Sequence, residues 1–217
     1  MVLEFKNVTG KRRKFNLEQV SFALEPGYMM GLAGKNGAGK TTLLQYILDE
    51  KKKFSGEIFV DGKNIKQHRG AILDEIGFIS EENSFFKEHS LARNADLLGP
   101  FYSRWNQEVF ETYLSEMGVS RGQKVSKLSR GEYMKFQLAF AIAHKPKLYL
   151  IDEATAGMDP IFRKDFFRYL RKVIMDEEAS VLLITHIEEE LEEKMDFVGI
   201  MEEGRLISFK PTLEVSG

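Results

Sequence analysis

The sequence predicts an α/β fold with a mixed sheet at its core, an antiparallel β subdomain at the N-terminus and a helical subdomain inserted in the middle. A glycine-rich loop at residues 34–42 lies between an apolar strand and a helix. Two later strands, at residues 147–151 and 181–184, are apolar throughout, which is typical of parallel strands covered by helices. The strands before about residue 65 alternate instead, which favours half-buried β structure there.

The elements before residue 84 are mostly strands. Residues 2–8 and 15–24 alternate apolar and polar side chains, and residues 28–33 form a buried strand that leads into the glycine-rich loop. Residues 41–48 have apolar side chains at helical spacing. We expect a short strand at 56–62 with an Asp-Gly turn, a helix at 71–76 and a core strand at 77–79.

Helical periodicity dominates from residue 84 to about residue 144. We expect helices at 90–98, 106–117 and 130–144, with Trp105 packing this lobe. After the helical segment we expect a helix at 160–175, an acidic, solvated helix at 188–194 and a hairpin at 197–209. We therefore predict one domain at residues 1–217, with a core at 1–83 and 145–217 and a helical subdomain at about 84–144.

Composition limits the classes of protein that this chain can belong to. Its 217 residues suffice for one large domain, and the net charge of −2 predicts no nucleic-acid partner. There is no cysteine, so disulfides and cysteine metal sites are excluded. No apolar run approaches the ~20 residues of a membrane helix, and the N-terminus alternates like a strand rather than a signal peptide. A membrane role would therefore come through a partner.

The glycine-rich loop has the spacing G-x-x-x-x-G-K-[ST], which cradles nucleotide phosphates. Its glycines allow backbone N–H groups to converge on an anion at the start of a helix. Lys40 would reach the β- and γ-phosphates, and the Thr41 hydroxyl would bind Mg²⁺. The residues expected to bind the phosphates are Gly34, Asn36, Gly37, Ala38, Gly39, Lys40, Thr41 and Thr42.

Three polar side chains follow the two later apolar strands. Asp152 and Glu153 end the first strand, and His186 follows the second. Because the carboxyl ends of parallel strands line the ligand crevice of such folds, we expect all three there. Asp152 suits Mg²⁺, Glu153 suits the base that orients and deprotonates an attacking water, and His186 suits a contact to the γ-phosphate.

Ser129 and Glu132 have the spacing of a capping box at the start of the third subdomain helix. A helix start that carries Ser129 and Gly131 is also an anion site. The residues alone leave these two interpretations open.

The order of these motifs closely resembles that of the ATP-binding cassette (ABC) ATPases over residues 2–210. The resemblance implies a P-loop NTPase fold of the ABC ATPase type, with ATP and Mg²⁺ as ligands. It also implies that Ser129 and Gly131 bind the γ-phosphate held by a second subunit. Asp152 then matches the magnesium aspartate, Glu153 the catalytic glutamate and His186 the switch histidine, while Asp159 matches the aspartate that links the two sites across the dimer.

The sequence departs from the family pattern at several positions. Glu81 replaces the usual glutamine that contacts Mg²⁺ and the attacking water, so we assign it to both the metal site and the catalytic site. Arg130 and Glu132 replace the commoner Gly and Gln, and Ala154 stands where Pro is usual.

The adenine-stacking aromatic of the family has no direct match. Phe15 is the nearest aromatic and is our candidate for this contact, with guanidinium stacking from Arg12 or Arg13 as the alternative.

The family resemblance predicts the ATP-binding and ATP-hydrolysing subunit of a transporter. Its partners would be transmembrane permease subunits and a second ABC ATPase subunit, identical or different, and it would be cytoplasmic, peripheral on the inner face of the cell membrane. Residues 83–87, with Phe85 and Phe86, would dock the membrane subunit, unless these aromatics pack within the lobe. The short chain and the Glu81-Glu82 pair favour the exporter-type branch.

Other functions remain as alternatives. They are a cytosolic ABC ATPase without a transporter and a regulatory nucleotide-binding module. A GTPase or kinase fits less well, because no Asn-Lys-x-Asp base reader follows a strand and neither class needs the motif at 128–132.

Overall fold

The computed structural model describes residues 1–11, 16–81, 85–155 and 158–212. Within these residues the strands form two sheets, one antiparallel and one mainly parallel, and helices contact the second sheet. The arrangement confirms the predicted α/β class with an antiparallel N-terminal part.

The antiparallel sheet consists of β1 (Leu3–Lys11), β2 (Asn16–Leu24), β4 (Ser55–Val60) and β5 (Lys63–Asn64). Among the described residues its strand order is β2-β1-β4-β5. Leu3, Phe5 and Val8 of β1 are buried in the same core cluster as Leu43 and Leu44, which belong to the first helix. This packing attaches the β subdomain to the helix that follows the glycine-rich loop.

The second sheet consists of β3 (Met29–Ala33), β6 (Ile76–Ser80), β7 (Leu148–Asp152), β8 (Ser180–Ile184), β9 (Phe197–Glu202) and β10 (Arg205–Pro211). In the part of the chain that the structure describes, their order is β10-β9-β3-β8-β7-β6. All neighbours are parallel except β9 and β10, which form the predicted C-terminal hairpin. The three strands with a buried, apolar sequence pattern, β3, β7 and β8, have nearly all their residues buried.

The helices divide between the core and the inserted subdomain. The core has α1 (Lys40–Leu48), α2 (Ile65–Asp74), α6 (Pro160–Glu177) and α7 (Glu188–Glu193), and the insert has α3 (Leu91–Leu98), α4 (Gln107–Glu116) and α5 (Arg130–Ala143). Trp105 packs the insert as predicted, with its ring centroid 4.7 Å from that of Phe140 and 5.6 Å from that of Phe110. Of the helices in the described ranges, none has the length and apolar character that a membrane span needs.

The helix before β6 begins earlier than predicted. It was expected at residues 71–76, but α2 starts at Ile65, and Ile76 already belongs to the strand. The Asn64 side chain accepts a hydrogen bond of 3.0 Å from the Lys66 amide and so caps the helix start. The angles of His68 inside α2 are non-helical (φ −126°, ψ 28°), so the helix is kinked there, and the sequence predicts only the part that follows the kink.

Candidate functional site

Strands β6, β7 and β8 end side by side at one edge of the parallel sheet. Ser80 is paired with Asp152 across β6 and β7, and Asp152 with Ile184 across β7 and β8. The glycine-rich loop leaves β3 at the same edge, because Leu32 is paired with Ile184. These segments border a cavity of about 360 Å³. Its lining residues are Asn36, Gly37, Gly39, Lys40, Thr41, Thr42, Ser80, Glu81, Arg130, Asp152 and Glu153.

The glycine-rich loop turns through backbone conformations that suit glycine. Gly34, Gly37 and Gly39 have φ angles of +146°, +85° and +110°, which L side chains rarely adopt. A Cβ at Gly34 would collide with the carbonyl oxygen of Met201. Lys40 is 5% exposed, and its Nζ donates a hydrogen bond of 2.7 Å to the Gly34 carbonyl. The ammonium therefore lies inside the loop, where a bound phosphate would meet it together with the helix N-terminus.

Thr41 and Asp152 lie together at the edge of this cavity. The Thr41 hydroxyl donates a hydrogen bond of 3.3 Å to Asp152 Oδ1. Within the described residues, no group of three or more His, Asp or Glu side chains could hold a metal. Mg²⁺ fits here nonetheless, because it usually takes one or two protein oxygens together with waters and substrate phosphates.

Glu153 has an unusual backbone conformation for a glutamate. Its φ is +49°, in the left-handed region. Holding a non-glycine residue in this conformation costs of order 1–3 kcal/mol of folding free energy. Its amide donates a hydrogen bond of 3.0 Å to the Ile184 carbonyl at the end of β8. The turn aims the chain out of β7, and the Glu153 side chain lines the same cavity as Lys40. The position suits the predicted base.

Arg130 brings the start of α5 to the same cavity. Its guanidinium forms an ion pair with Glu81, which follows β6, and both side chains are about half exposed. The predicted roles of Glu81 in metal binding and water positioning stay predictions. The two residues that depart from the family pattern are therefore in contact. The positive charge of Arg130 balances the negative charge of Glu81.

A second contact joins α5 to the end of β6. The buried amide of Gln137 accepts from the Ser80 N–H at 3.1 Å and donates to the Ser80 carbonyl at 3.0 Å. Because each group of the amide is paired with one backbone group, Ser80 is fixed against the helix. Movement of α5 would therefore move the backbone next to Glu81.

Ser129 and Glu132 form the capping box that their spacing predicts. Ser129 Oγ accepts from the Glu132 amide at 3.2 Å, and the Glu132 carboxylate accepts from the Ser129 amide at 2.8 Å. The hydrogen bonds from Ser129, the backbone amide first, lower the pKa of Glu132. Ser129 is exposed, and it borders a second cavity of about 710 Å³ that contains Phe85 and Tyr133. Gly131 is partly exposed on the same helix start.

His186 and Asp159 lie outside the residues that line the first cavity. The His186 side chain is exposed directly after β8, at the edge where the cavity lies. Asp159 is exposed and caps α6, with its Oδ1 accepting from the Phe162 amide at 2.9 Å. Both positions leave the side chains accessible to a second chain or a bound phosphate, and both roles stay predictions.

The predicted adenine contacts fall in a segment outside the described residues. Phe15, Arg12 and Arg13 lie outside the described residues, as do Glu82 and Asn83. The stacking of Phe15 on adenine stays a prediction.

The two adjacent aromatics at residues 85 and 86 have different environments. Phe85 packs within the helical subdomain, with its ring centroid 4.6 Å from that of Phe136 and 5.2 Å from that of Phe140. Phe86 is 50% exposed and contacts the ring of His89. The alternative of packing within the lobe therefore holds for Phe85, and Phe86 is the one of these two aromatics that is left as a candidate docking side chain.

Sequence reasoning did not identify two of the polar residues near this edge. In the sequence, Arg130 stands out only as a departure from the family pattern, and nothing there indicates its ion pair with Glu81. Glu190 was assigned to a solvated acidic face, but it is 2% exposed and hydrogen-bonded to the segments that follow β7 and β8. The apolar residue Leu191 beside it was the one local signal that part of α7 is covered.

The model of the ABC transporter family matches residues 17–156 of this chain. The match covers the glycine-rich loop, the helix start at Ser129 and the Asp152-Glu153 strand end. The chain belongs to this family, and the resemblance drawn from its motifs is confirmed.

Two curated relatives agree with this assignment. The chain is 31% identical over 202 residues to the bacitracin transport ATP-binding protein BcrA of Bacillus licheniformis, covering 90% of this chain and 65% of that protein. It is also 31% identical over 221 residues to the methionine import ATP-binding protein MetN 3 of Oceanobacillus iheyensis, covering 95% of this chain and 64% of that protein.

A solved ATP-binding cassette, a dimer in a post-hydrolysis state bound to ADP and Pi, has a TM-score of 0.83 at 20% identity. The match covers 97% of this chain and 98% of that one, and it confirms the fold. The chain spans just under two thirds of the length of the two curated relatives.

Proposed function

We propose that this chain is the ATP-binding and ATP-hydrolysing subunit of an ABC transporter. The observation that carries the proposal is the cavity that brings Lys40, Thr41, Asp152 and Glu153 to one edge of the parallel sheet. A phosphate-binding loop, a hydroxyl–carboxylate pair for magnesium and a carboxylate base are what hydrolysis of a nucleoside triphosphate needs. The names of the family and of the relatives above support ATP as the nucleotide and transport as the process that its hydrolysis drives.

Each side chain of the cavity has a distinct task in this proposal. Lys40 and the loop amides bind the β- and γ-phosphates, and Thr41 with Asp152 would hold Mg²⁺. The metal, when bound, neutralises charge on the phosphate oxygens. Glu153 orients the attacking water and accepts its proton, and His186 contacts the γ-phosphate from the end of β8.

A second subunit completes the site. Ser129 is exposed at the start of α5 and lies outside the residues that line its own chain's phosphate cavity. We infer that Ser129 and Gly131 bind the γ-phosphate held by a second copy or a related subunit, with Asp159 linking the two sites. The solved cassette described above is itself a dimer, which supports the presence of a second subunit.

The partner on the membrane would be a permease. We infer that the chain sits peripherally on the inner face of the membrane, held there by the permease, and the relatives named as transport ATP-binding proteins support this location. We favour an exporter because of the Glu81-Glu82 pair. The relatives named above include a methionine import protein as well as a bacitracin transport protein.

The basic test is ATP hydrolysis by the purified chain. We expect phosphate release that requires Mg²⁺ and rises faster than linearly with protein concentration, because two chains form each site. The control is Lys40→Ala, which removes the charge inside the loop and should abolish the release. Equal phosphate release from the wild-type chain and this variant, or none from either, would contradict the proposal.

The docking of the permease can be tested at Phe86. We expect Phe86→Ser to reduce the fraction of the chain that sediments with washed membranes of its own host, without changing the ATPase rate of the purified chain. Met175→Ser, an exposed apolar residue on α6, is the matched control. Phe85→Ser should instead lower stability by about 2 kcal/mol, because Phe85 packs on Phe136 and Phe140. Unchanged membrane association of Phe86→Ser would place docking elsewhere.

A further inference from the structure

Glu190 is a buried carboxyl in a helix whose sequence is almost entirely charged. Its helix, α7, reads Glu-Glu-Glu-Leu-Glu-Glu, and an acidic solvated face is the ordinary expectation for it. Glu190 is nevertheless 2% exposed, whereas its neighbour Glu189 is exposed. Because burying a carboxyl costs free energy unless the group is hydrogen-bonded, its partners require an explanation.

The partners of Glu190 are two buried hydroxyls. Glu190 Oε2 accepts a hydrogen bond of 2.6 Å from Thr185 Oγ1 and one of 2.9 Å from Thr155 Oγ1. Both threonines are 1% exposed. Thr185 Oγ1 also accepts from the Ile187 amide at 3.1 Å, so the start of α7 is fixed by the same group of atoms.

The second oxygen of Glu190 is buried without a partner. Among the described residues no donor or acceptor reaches Glu190 Oε1. A buried polar atom without a hydrogen-bond partner costs free energy of folding, so the arrangement is not the one that stability alone would favour. Burial raises the pKa of the carboxyl, although the two threonine hydroxyls, Arg163 and His186 oppose that rise.

The two threonines belong to the segments that carry the predicted catalytic groups. Thr155 lies two residues after Glu153, on the segment that continues toward Asp159. Thr185 immediately precedes His186. The Glu153 amide already donates to the Ile184 carbonyl, so the hydrogen bonds of Glu190 are a second connection between the same two segments.

We propose that Glu190 is a positioning residue for ATP hydrolysis. Its carboxyl fixes the segment after β7 relative to the segment after β8, so that Glu153 reaches the attacking water while His186 contacts the γ-phosphate. The proposal rests on the proposed ATPase function. Glu190 lies outside the residues that line the phosphate cavity, so it acts through Thr155 and Thr185. Loss of this connection would misplace the base and the histidine while leaving the phosphate loop intact.

The proposal predicts a separation of kcat from KM. Glu190→Leu should lower kcat by about 100-fold, the usual order for a small misplacement of catalytic groups. The KM for ATP should stay within about threefold, because Lys40 and Thr41 keep their positions. Glu190→Gln retains an acceptor oxygen for both hydroxyls and should restore kcat to within about threefold of wild type. Glu192→Gln, an exposed change on the same helix, is the matched control.

The threonines provide a second route if Glu190→Leu does not fold. Thr185→Val and Thr155→Val remove one hydroxyl each at nearly constant shape, and each should lower kcat by about tenfold at an unchanged KM. In folded variants, a wild-type kcat for Glu190→Leu, or for both valine variants, would overturn the proposal. A raised KM at unchanged kcat would overturn it too, because it would assign Glu190 to binding. Failure of the wild-type chain to hydrolyse ATP would instead remove the proposed function itself.

Discussion

Glu153→Gln is expected to lower the ATP turnover of this chain by about 1,000-fold while ATP binding is retained. The amide has the shape of the carboxylate but cannot accept a proton from the attacking water, and loss of a general base costs about 10²–10⁴ in rate. The backbone of Glu153 is left-handed and hydrogen-bonded to Ile184, and neither feature depends on the carboxylate. Phosphate release at saturating MgATP measures the effect.

A matched control for this variant lies in the β9–β10 turn. Glu203 is exposed and has a φ of +45°, so Glu203→Gln makes the same chemical change in the same backbone conformation outside the cavity. We expect Glu203→Gln to hydrolyse ATP at the wild-type rate. Unchanged turnover in Glu153→Gln would remove Glu153 as the base and direct attention to another carboxylate of the cavity, Glu81 first.

Ser129→Arg is expected to block ATP-dependent dimerisation while each chain still binds ATP. The long cation would occupy the exposed start of α5, where the proposal places the γ-phosphate held by the second subunit. The phosphate loop of the same chain is untouched, so the Kd for ATP should change by no more than about threefold. Sedimentation with and without MgATP measures dimerisation, and a titration with ATP measures binding.

The change at Ser129 also removes a helix cap. Ser129 Oγ accepts from the Glu132 amide, and loss of such a cap costs about 1 kcal/mol. Ser129→Ala loses the same cap without adding bulk or charge, so the difference between the two variants isolates the effect of the arginine. A normal ATP-dependent dimer in Ser129→Arg would rule out the role of this helix start in the second subunit's site.

Local sequence patterns were sufficient to predict the loop and the strand ends. Gly37 and Gly39 have positive φ angles, which glycine adopts more readily than other residues, and Lys40 follows them at fixed spacing. Asp152 ends an apolar strand, and the parallel register then places it beside the loop. These features depend on neighbours in sequence or on a regular sheet, which explains why they could be predicted without coordinates.

Contacts between distant segments could not be predicted in the same way. Phe85 and Phe86 have identical side chains, so the sequence does not distinguish them. In the structure they differ because Phe85 packs on α5. Glu81 and Arg130 each stood out as a departure from the family pattern, but their ion pair depends on how the helical subdomain meets β6. The acidic sequence of α7 predicts a solvated Glu190. Its burial depends on Thr155 and Thr185, which lie outside this helix.

The mass of Glu153→Gln in solution tests the central claim, that two chains share each ATP site. One chain has a mass of 24.9 kDa. With MgATP, which this variant should bind but not hydrolyse, sedimentation equilibrium should give twice that mass, whereas with ADP it should give the mass of one chain. A single-chain mass with ATP demonstrably bound would contradict the shared site.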